Sequence, residues 1–196
     1  MSFLEKKPLI LASKSPRRQE LMEKLGLPFQ IWTADTDESI EPCPPEEMVC
    51  SLAQRKAGAV AALCKEDALV LGVDTIVVHR GEVFGKPENV EDAQRMLSRL
   101  QGDGHQVYTG VYLLDTGGGH GLGHAELTQV FVDEMSAEEI DSYIATGEPM
   151  DKAGAYGIQG RFAPYIKRIE GCYYSVMGLP LSALRKMLIS MAVVGE

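Results

Sequence analysis

Short apolar runs alternate with stretches of helical periodicity along most of the chain. Pro8 to Ala12 (PLILA) suits a buried strand, and Leu21, Met22 and Leu25 follow at helical spacing. Ser15 stands where a helix cap belongs, Pro16 fits the first helical position, and Gly26 with Pro28 ends the helix. Phe29 to Thr33 reads as a second strand. Pro42, Pro44 and Pro45 mark a loop before an Ala-rich amphipathic helix from Glu46 to Leu63. Ala68 to Val78 (ALVLGVDTIVV) is the most apolar segment and predicts a central strand, interrupted only by Asp74 and Thr75. Arg80-Gly81-Glu82 turns that strand into Val83 and Phe84 as a hairpin. Val90 to Leu100 is helical by periodicity. Gln106 to Leu114 and Ala125 to Asp133 predict strands joined by a glycine-rich loop through Gly117, Gly118, Gly119, Gly121 and Gly123. Ser136 caps a helix to Thr146, with Glu139 three residues on as in a capping box. Phe162 to Ile169 and Tyr173 to Val176 read as further strands, and Pro180 opens the last helix. This alternation predicts an α/β fold on a mixed sheet. Neither repeats nor linker composition divide residues 1–196, which read as one domain.

Composition narrows the function. The formal charge of −9 argues against a nucleic-acid polymer as partner, because covering many phosphates needs a wide face of Lys and Arg. It leaves room for a local basic pocket holding one anionic ligand. No run approaches the roughly 18–20 apolar residues of a membrane span, so no membrane partner is expected. Met1 to Pro8 holds Glu5, Lys6 and Lys7 without an apolar stretch of leader length. Cys43, Cys50, Cys64 and Cys172 lie far apart without a CxxC pair, so neither a zinc site nor a disulfide framework is indicated. A cytoplasmic location is expected.

Three stretches carry candidate chemistry. Ser13-Lys14-Ser15-Pro16-Arg17-Arg18 links a strand to a helix, and a helix N-terminus favours phosphate through unpaired N–H groups and partial positive charge. Arg17 and Arg18 conflict with that positive end unless an anion lies between them, where Arg makes forked bonds. From these residues alone, a solvated pair on a surface helix reads equally well. Asp74 sits inside a run too apolar to hold a carboxylate without a partner. It binds a metal, accepts strong hydrogen bonds, or lies where the sheet opens to a ligand; the alternative is a structural Asp at a strand bend beside Gly72. Glu38, in the acidic loop Asp35-Thr36-Asp37-Glu38, is a second oxygen donor, although such loops are usually just solvated. In Asp151 to Gly160 (DKAGAYGIQG), Gly154, Gly157 and Gly160 let backbone approach a ligand closely. There Gln159 pairs a donor with an acceptor fit to read a base edge, or is an exposed loop amide.

Other signals fall away. Gly81 to Lys86 nearly spells a phosphate-binding loop, but it is one residue short and Pro87 replaces the Ser/Thr that would meet magnesium. The glycines near Gly119 miss the G-x-G-x-x-G spacing. His79, His105, His120 and His124 form no i, i+4 pair and do not read as metal ligands.

Together these stretches resemble the Maf family of nucleoside triphosphate pyrophosphatases. The matching pieces are LASKSPRR (Leu11 to Arg18), LAQRKA (Leu52 to Ala57), GVDTIV (Gly72 to Val77), GKP (Gly85 to Pro87), HQVYTGV (His105 to Val111), EPMDKAGAYGIQG (Glu148 to Gly160) and YYSVMGLP (Tyr173 to Pro180). They occur in family order over nearly the whole chain. The resemblance implies a two-lobed, Maf-like (inosine-triphosphatase-like) α/β fold, with a curved mixed sheet flanked by helices, a central cleft and often a homodimer. It implies cleavage between the α- and β-phosphates of a nucleoside triphosphate with a divalent cation; hard oxygen ligands suit Mg²⁺ or Mn²⁺.

Carried residue by residue, the resemblance makes Asp74 the proton acceptor that activates water. Ser13, Arg18, Lys56 and Lys86 become phosphate contacts, and Glu38 with Asp74 the metal site. Arg17, Thr75 and Gln159 match the branch acting on dTTP and UTP, which removes excess or non-standard pyrimidine nucleotides. Arg161 to Pro164 departs from the more Gly-rich segment of many members. The alternatives are a 7-methyl-GTP pyrophosphatase, a low-turnover nucleotide-binding regulator of cell division, and a nucleotidyltransferase.

Overall fold

Each apolar run becomes a strand where a helix can cover it. In the computed structural model, which describes residues 7–39 and 41–194, Leu9–Ala12 forms β1 with all four residues buried. Met1 to Lys6, part of the segment read for a leader, lie outside the described residues. Helix α1 (Pro16–Glu23) carries the chain to β2 (Phe29–Trp32), which runs parallel to β1 with Leu9 opposite Phe29. Helix α2 (Pro45–Ala61) places Glu46 and Glu47 in its first turn, where the positive helix end favours carboxylates. The long β3 (Leu69–His79) runs parallel to β1, with Ala12 opposite Gly72. Arg80 and Gly81 both take positive φ, 50° and 82°, which makes the tight turn into antiparallel β4 (Glu82–Phe84).

The chain continues through α3 (Val90–Leu100), β5 (Gly104–Asp115) and β6 (Gly121–Val132). Next comes α4 (Ala137–Ile144), whose Ser136–Glu139 capping box is formed. Strand β7 (Ile166–Glu170), α5 (Tyr173–Met177) and α6 (Leu181–Val194) complete it. The sheet has seven strands in the order β2-β1-β3-β5-β6-β7, with β4 added on β3. Parallel and antiparallel pairs coexist in it, as the alternation of elements predicts. Among the described residues no helix is long and apolar enough to cross a membrane.

Two compact units divide the chain at points inside β3, β5 and β6: residues 7–74, 109–126 and 178–194 form the first, and 75–108 with 127–177 the second. In the first, Ile10, Ala57, Val60, Ala68 and Val70 make a buried cluster against which Trp32, Cys64 and Tyr112 pack. Burying such a Val or Ile side chain contributes roughly 1.5–3 kcal/mol. Helix α2 lies on strand backbone there: a Cβ at Gly72 would stand 1.9 Å from the Ala53 carbonyl oxygen, and one at Gly110 2.3 Å from that of Val49. In the second unit the guanidinium groups of Arg95 and Arg99 each lie 5.3 Å from the centre of the buried Phe84 ring. Phe162 there packs between Tyr143 and Tyr156, with ring centres 5.2 and 4.8 Å away.

Three expectations are corrected. Tyr173 to Val176 is helical, because the Ser175 and Val176 amides both bond the Cys172 carbonyl and bury Ser175; this local closure overrides the strand preference of Tyr and Val. The strand expected from Phe162 begins only at Ile166, since Ala163–Tyr165 is a 3₁₀ turn with Pro164 at its start. Gly121 and Gly123 belong to β6 rather than a flexible loop. They leave room for the Tyr112 ring, whose hydroxyl would lie 2.1 Å from a Cβ at Gly121.

Candidate active site

The strand–turn–helix at residues 9–23 is held by side chains more than by its cap. Ser15 occupies the N-cap position, but its hydroxyl makes no capping bond. Instead the Ser15 amide donates to Ser13 Oγ at 3.2 Å, and Arg18 Nη1 donates to the same oxygen at 3.3 Å. Arg18 Nε donates to the Gly178 carbonyl at 3.0 Å. Ser13 is buried and Arg17 and Arg18 are half-buried. Burial pushes the Arg18 guanidinium down from its ordinary pKa and the neighbouring Arg17 adds to this, whereas Asp74 and Glu38 oppose it. No acidic residue stands in the first turn of α1, so its positive end and both arginines face the same way electrostatically. That arrangement attracts an anion.

Asp74 lies on β3 with only 8% of its surface exposed. The absence of a side chain at Gly72 brings the α2 backbone onto this strand near Ala53 and Ala57. Lys56, beside Ala57, thereby reaches Asp74, with Nζ 2.6 Å from Asp74 Oδ1. The same ammonium lies 2.8 Å from Glu38 Oε1. Three residues singled out from sequence thus meet at one point, with Lys56 bridging two carboxylates. Arg55, the residue before Lys56, holds the acidic loop from the other side: its Nη1 donates to the carbonyl oxygens of Asp37 and Ser39, which flank Glu38.

This donor set suits a hard divalent cation. Glu38 and Asp74 both direct oxygens at one ammonium, that of Lys56. Among the described residues no group of three or more ligating side chains occurs. A cation here would take two carboxylates and complete its shell with phosphate oxygens and water, the usual habit of Mg²⁺.

Thr75, Lys86 and Gln159 belong to the second unit. Thr75 is half-buried and follows Asp74 directly in β3, Lys86 is exposed just after β4, and Gln159 is exposed. Backbone joins the latter two stretches, the Gly154 amide donating to the Gly85 carbonyl at 3.0 Å. The glycines near Gln159 make room within the chain itself. Gly154 takes φ +69° with Val77 against it, while Gly157 and Gly160 make space for Lys152 and Glu148 of the same chain.

Two histidines are buried in this unit. His79 Nε2 lies 3.0 Å from Asp103 Oδ2, and His105 Nε2 2.7 Å from the Tyr156 hydroxyl. Hydrogen bonds from His79, the Gly104 amide and Arg80 hold Asp103 down at about 2. Burial, with His79 adding to it, pushes His105 down to about 3.

Sequence reasoning gave no role to Arg55 or Gly178. Both lie inside quoted stretches, LAQRKA and YYSVMGLP, but the bond each takes part in ends on a main-chain oxygen, that of Asp37 or Ser39 for Arg55 and its own for Gly178, which no residue type announces.

Comparison with known proteins supplies the lineage. A dTTP/UTP pyrophosphatase of Pelotomaculum thermopropionicum is 52% identical over 183 residues, covering 93% of this chain and 95% of that protein. One from a Geobacillus species is 52% identical over 177 residues, covering 90% and 94%. One from Alkaliphilus metalliredigens is 48% identical over 181 residues, covering 92% and 94%. The family model described as Maf-like protein matches residues 8–191, a span holding every residue of the charge cluster, and the chain belongs to that family.

Proposed function

We propose that this chain hydrolyses dTTP and UTP to the nucleoside monophosphate and pyrophosphate, acting as one catalytic domain over the matched residues. The observation that carries this is the Glu38–Lys56–Asp74 cluster beside Arg18, in a chain about half identical to dTTP/UTP pyrophosphatases over most of its length.

Ser13, Arg18, Lys56 and Lys86 bind the triphosphate, each placing a donor or positive charge where phosphate charge accumulates. Asp74 accepts the proton of the attacking water through the carboxylate that Lys56 holds in place. As water adds at the α–β anhydride, that P–O bond breaks, and pyrophosphate leaves with its charge spread over the same cations. Glu38 and Asp74 are the residues that would hold a divalent cation, Mg²⁺ or Mn²⁺, which would supply a lowered water pKa and neutralisation of phosphate charge. Arg17, Thr75 and Gln159 select the base. The Gln159 amide presents one donor and one acceptor edge, which matches the adjacent N3–H and carbonyl of uracil and thymine.

The test is a panel of each NTP, each dNTP and 7-methyl-GTP with Mg²⁺ or Mn²⁺, measuring pyrophosphate and monophosphate together. Release of both in equal amounts, fastest from dTTP and UTP, is expected. Preference for 7-methyl-GTP overturns the base assignment. Absence of release from every nucleotide overturns the activity, and release only with an acceptor substrate makes the chain a transferase.

A further inference from the structure

We infer that Glu148 is a positioning residue that sets the turn presenting Gln159. The inference rests on the proposed base-selecting role of Gln159 and adds to it a residue that does not itself meet the nucleotide.

Gln159 is the third residue of a four-residue turn, closed by the Gly160 amide donating to the Gly157 carbonyl at 3.1 Å. Both ends of that turn rest on the Glu148 carboxylate. A Cβ at Gly160 would lie 2.0 Å from Glu148 Oε1, and one at Gly157 3.3 Å from the same oxygen. The carboxylate cannot simply swing aside, because it is bonded on two sides. Glu148 Oε1 accepts from the Tyr143 hydroxyl at 2.9 Å, and Oε2 accepts from the Arg161 amide at 3.0 Å. The Tyr143 hydroxyl also accepts from the Gly157 amide at 3.2 Å. Burial raises the Tyr143 pKa, which keeps its proton available to Glu148. Beneath, Lys152 Nζ donates to the Glu148 carbonyl at 2.6 Å and its side chain lines Gly157.

Residues 157, 160 and 161 thus all refer to one carboxylate, while Gln159, between them, stays exposed. A carboxylate bonded to backbone N–H and a phenol fixes these positions more firmly than neutral pairs would, and the glycines are required by its volume. A side chain that must read a base edge gains from such support, since a small misplacement forfeits its hydrogen bonds.

The experiment compares Glu148→Ala, Glu148→Gln, Tyr143→Phe and Gln159→Ala, each checked for unchanged far-UV circular dichroism. Two readouts are taken: kcat and KM for dTTP, UTP and GTP, and hydrogen exchange at the Gly157 and Arg161 amides. Glu148→Ala is expected to raise KM for dTTP and UTP about 10-fold with kcat within about 2-fold, the pattern of lost binding rather than lost chemistry. Its two amides should exchange faster, and the preference over GTP should shrink. Glu148→Gln, which keeps an acceptor for Arg161, should recover most of both, and Tyr143→Phe should fall between. An unchanged KM in Glu148→Ala, or unchanged exchange at both amides, overturns the inference. If Gln159→Ala leaves base preference intact, the base-reading role itself fails, and the exchange data still decide whether Glu148 sets the turn.

Discussion

The Glu38–Lys56–Asp74 cluster and the turn around Glu148 both centre on carboxylates, yet they are built oppositely. In the first, one ammonium bridges two carboxylates, and the helix end beside it carries two arginines. Charge balance there would change with the arrival of a polyanion. In the second, a carboxylate is met by a phenol and a backbone amide, and glycines close around it. Nothing there waits for a counter-ion. A site for triphosphate must respond to charge, whereas a surface that reads a neutral base must hold still.

Asp74→Asn attacks the responsive region at its centre and has the largest expected effect. Turnover should fall by about 10²–10⁴-fold, the range for removal of a general base, while dTTP still binds in preference to GTP in equilibrium dialysis. Loss of base preference along with turnover would show that the two regions are not separable.

Lys56→Met comes next, because it leaves Asp74 and Glu38 facing each other without their shared ammonium. The two carboxylates that Lys56 bridges would then repel one another without a shared counter-charge. The kcat/KM should fall by about 10²-fold as one charged donor is lost. An unchanged kcat/KM would mean that Lys56 neither holds Asp74 in place nor meets the triphosphate.

The last effect belongs to the second unit and appears in stability rather than rate. His105 stays neutral in the folded chain down to about 3, whereas an unfolded chain protonates it near 6.5. Its depressed pKa therefore leaves stability whole above about 6.5 and erodes it as pH falls, by at most about 1.4 kcal/mol per pH unit. Asp103, held at about 2, contributes stability that is lost only at lower pH. Urea unfolding between pH 7 and pH 4 should show this slope, and His105→Gln should flatten it. Equal slopes in both proteins would place the acid sensitivity elsewhere.

What could be read in advance follows the same division. Leu9–Ala12, Leu69–His79 and Ser136 with Glu139 announce themselves because burial period and capping chemistry are local. Asp74 stands out because a carboxylate in an apolar strand demands a partner, Glu38 only as an oxygen donor in an acidic loop, and Lys56 only through the family resemblance. That Lys56 bridges the other two depends on Gly72 admitting α2 to the strand, a contact between distant backbones. Glu148 had no such mark: its role is set by Gly157, Gly160 and the Arg161 amide, whose positions follow from the turn itself. Tyr173–Met177 misleads for the converse reason, since its aromatic residues favour a strand while the Cys172 carbonyl gathers them into a helical turn.

The bond from Arg18 to the Gly178 carbonyl bridges 160 residues of sequence. A chain emerging from the ribosome N-terminus first makes Arg18 a full 160 residues before Gly178 and cannot anchor it until that stretch has been made. Release of a premature fragment ending before residue 178 would thus leave the arginine without this anchor. Contacts of such long range also slow folding, because the loop they close must be ordered first. One guanidinium thus registers that synthesis has passed residue 178.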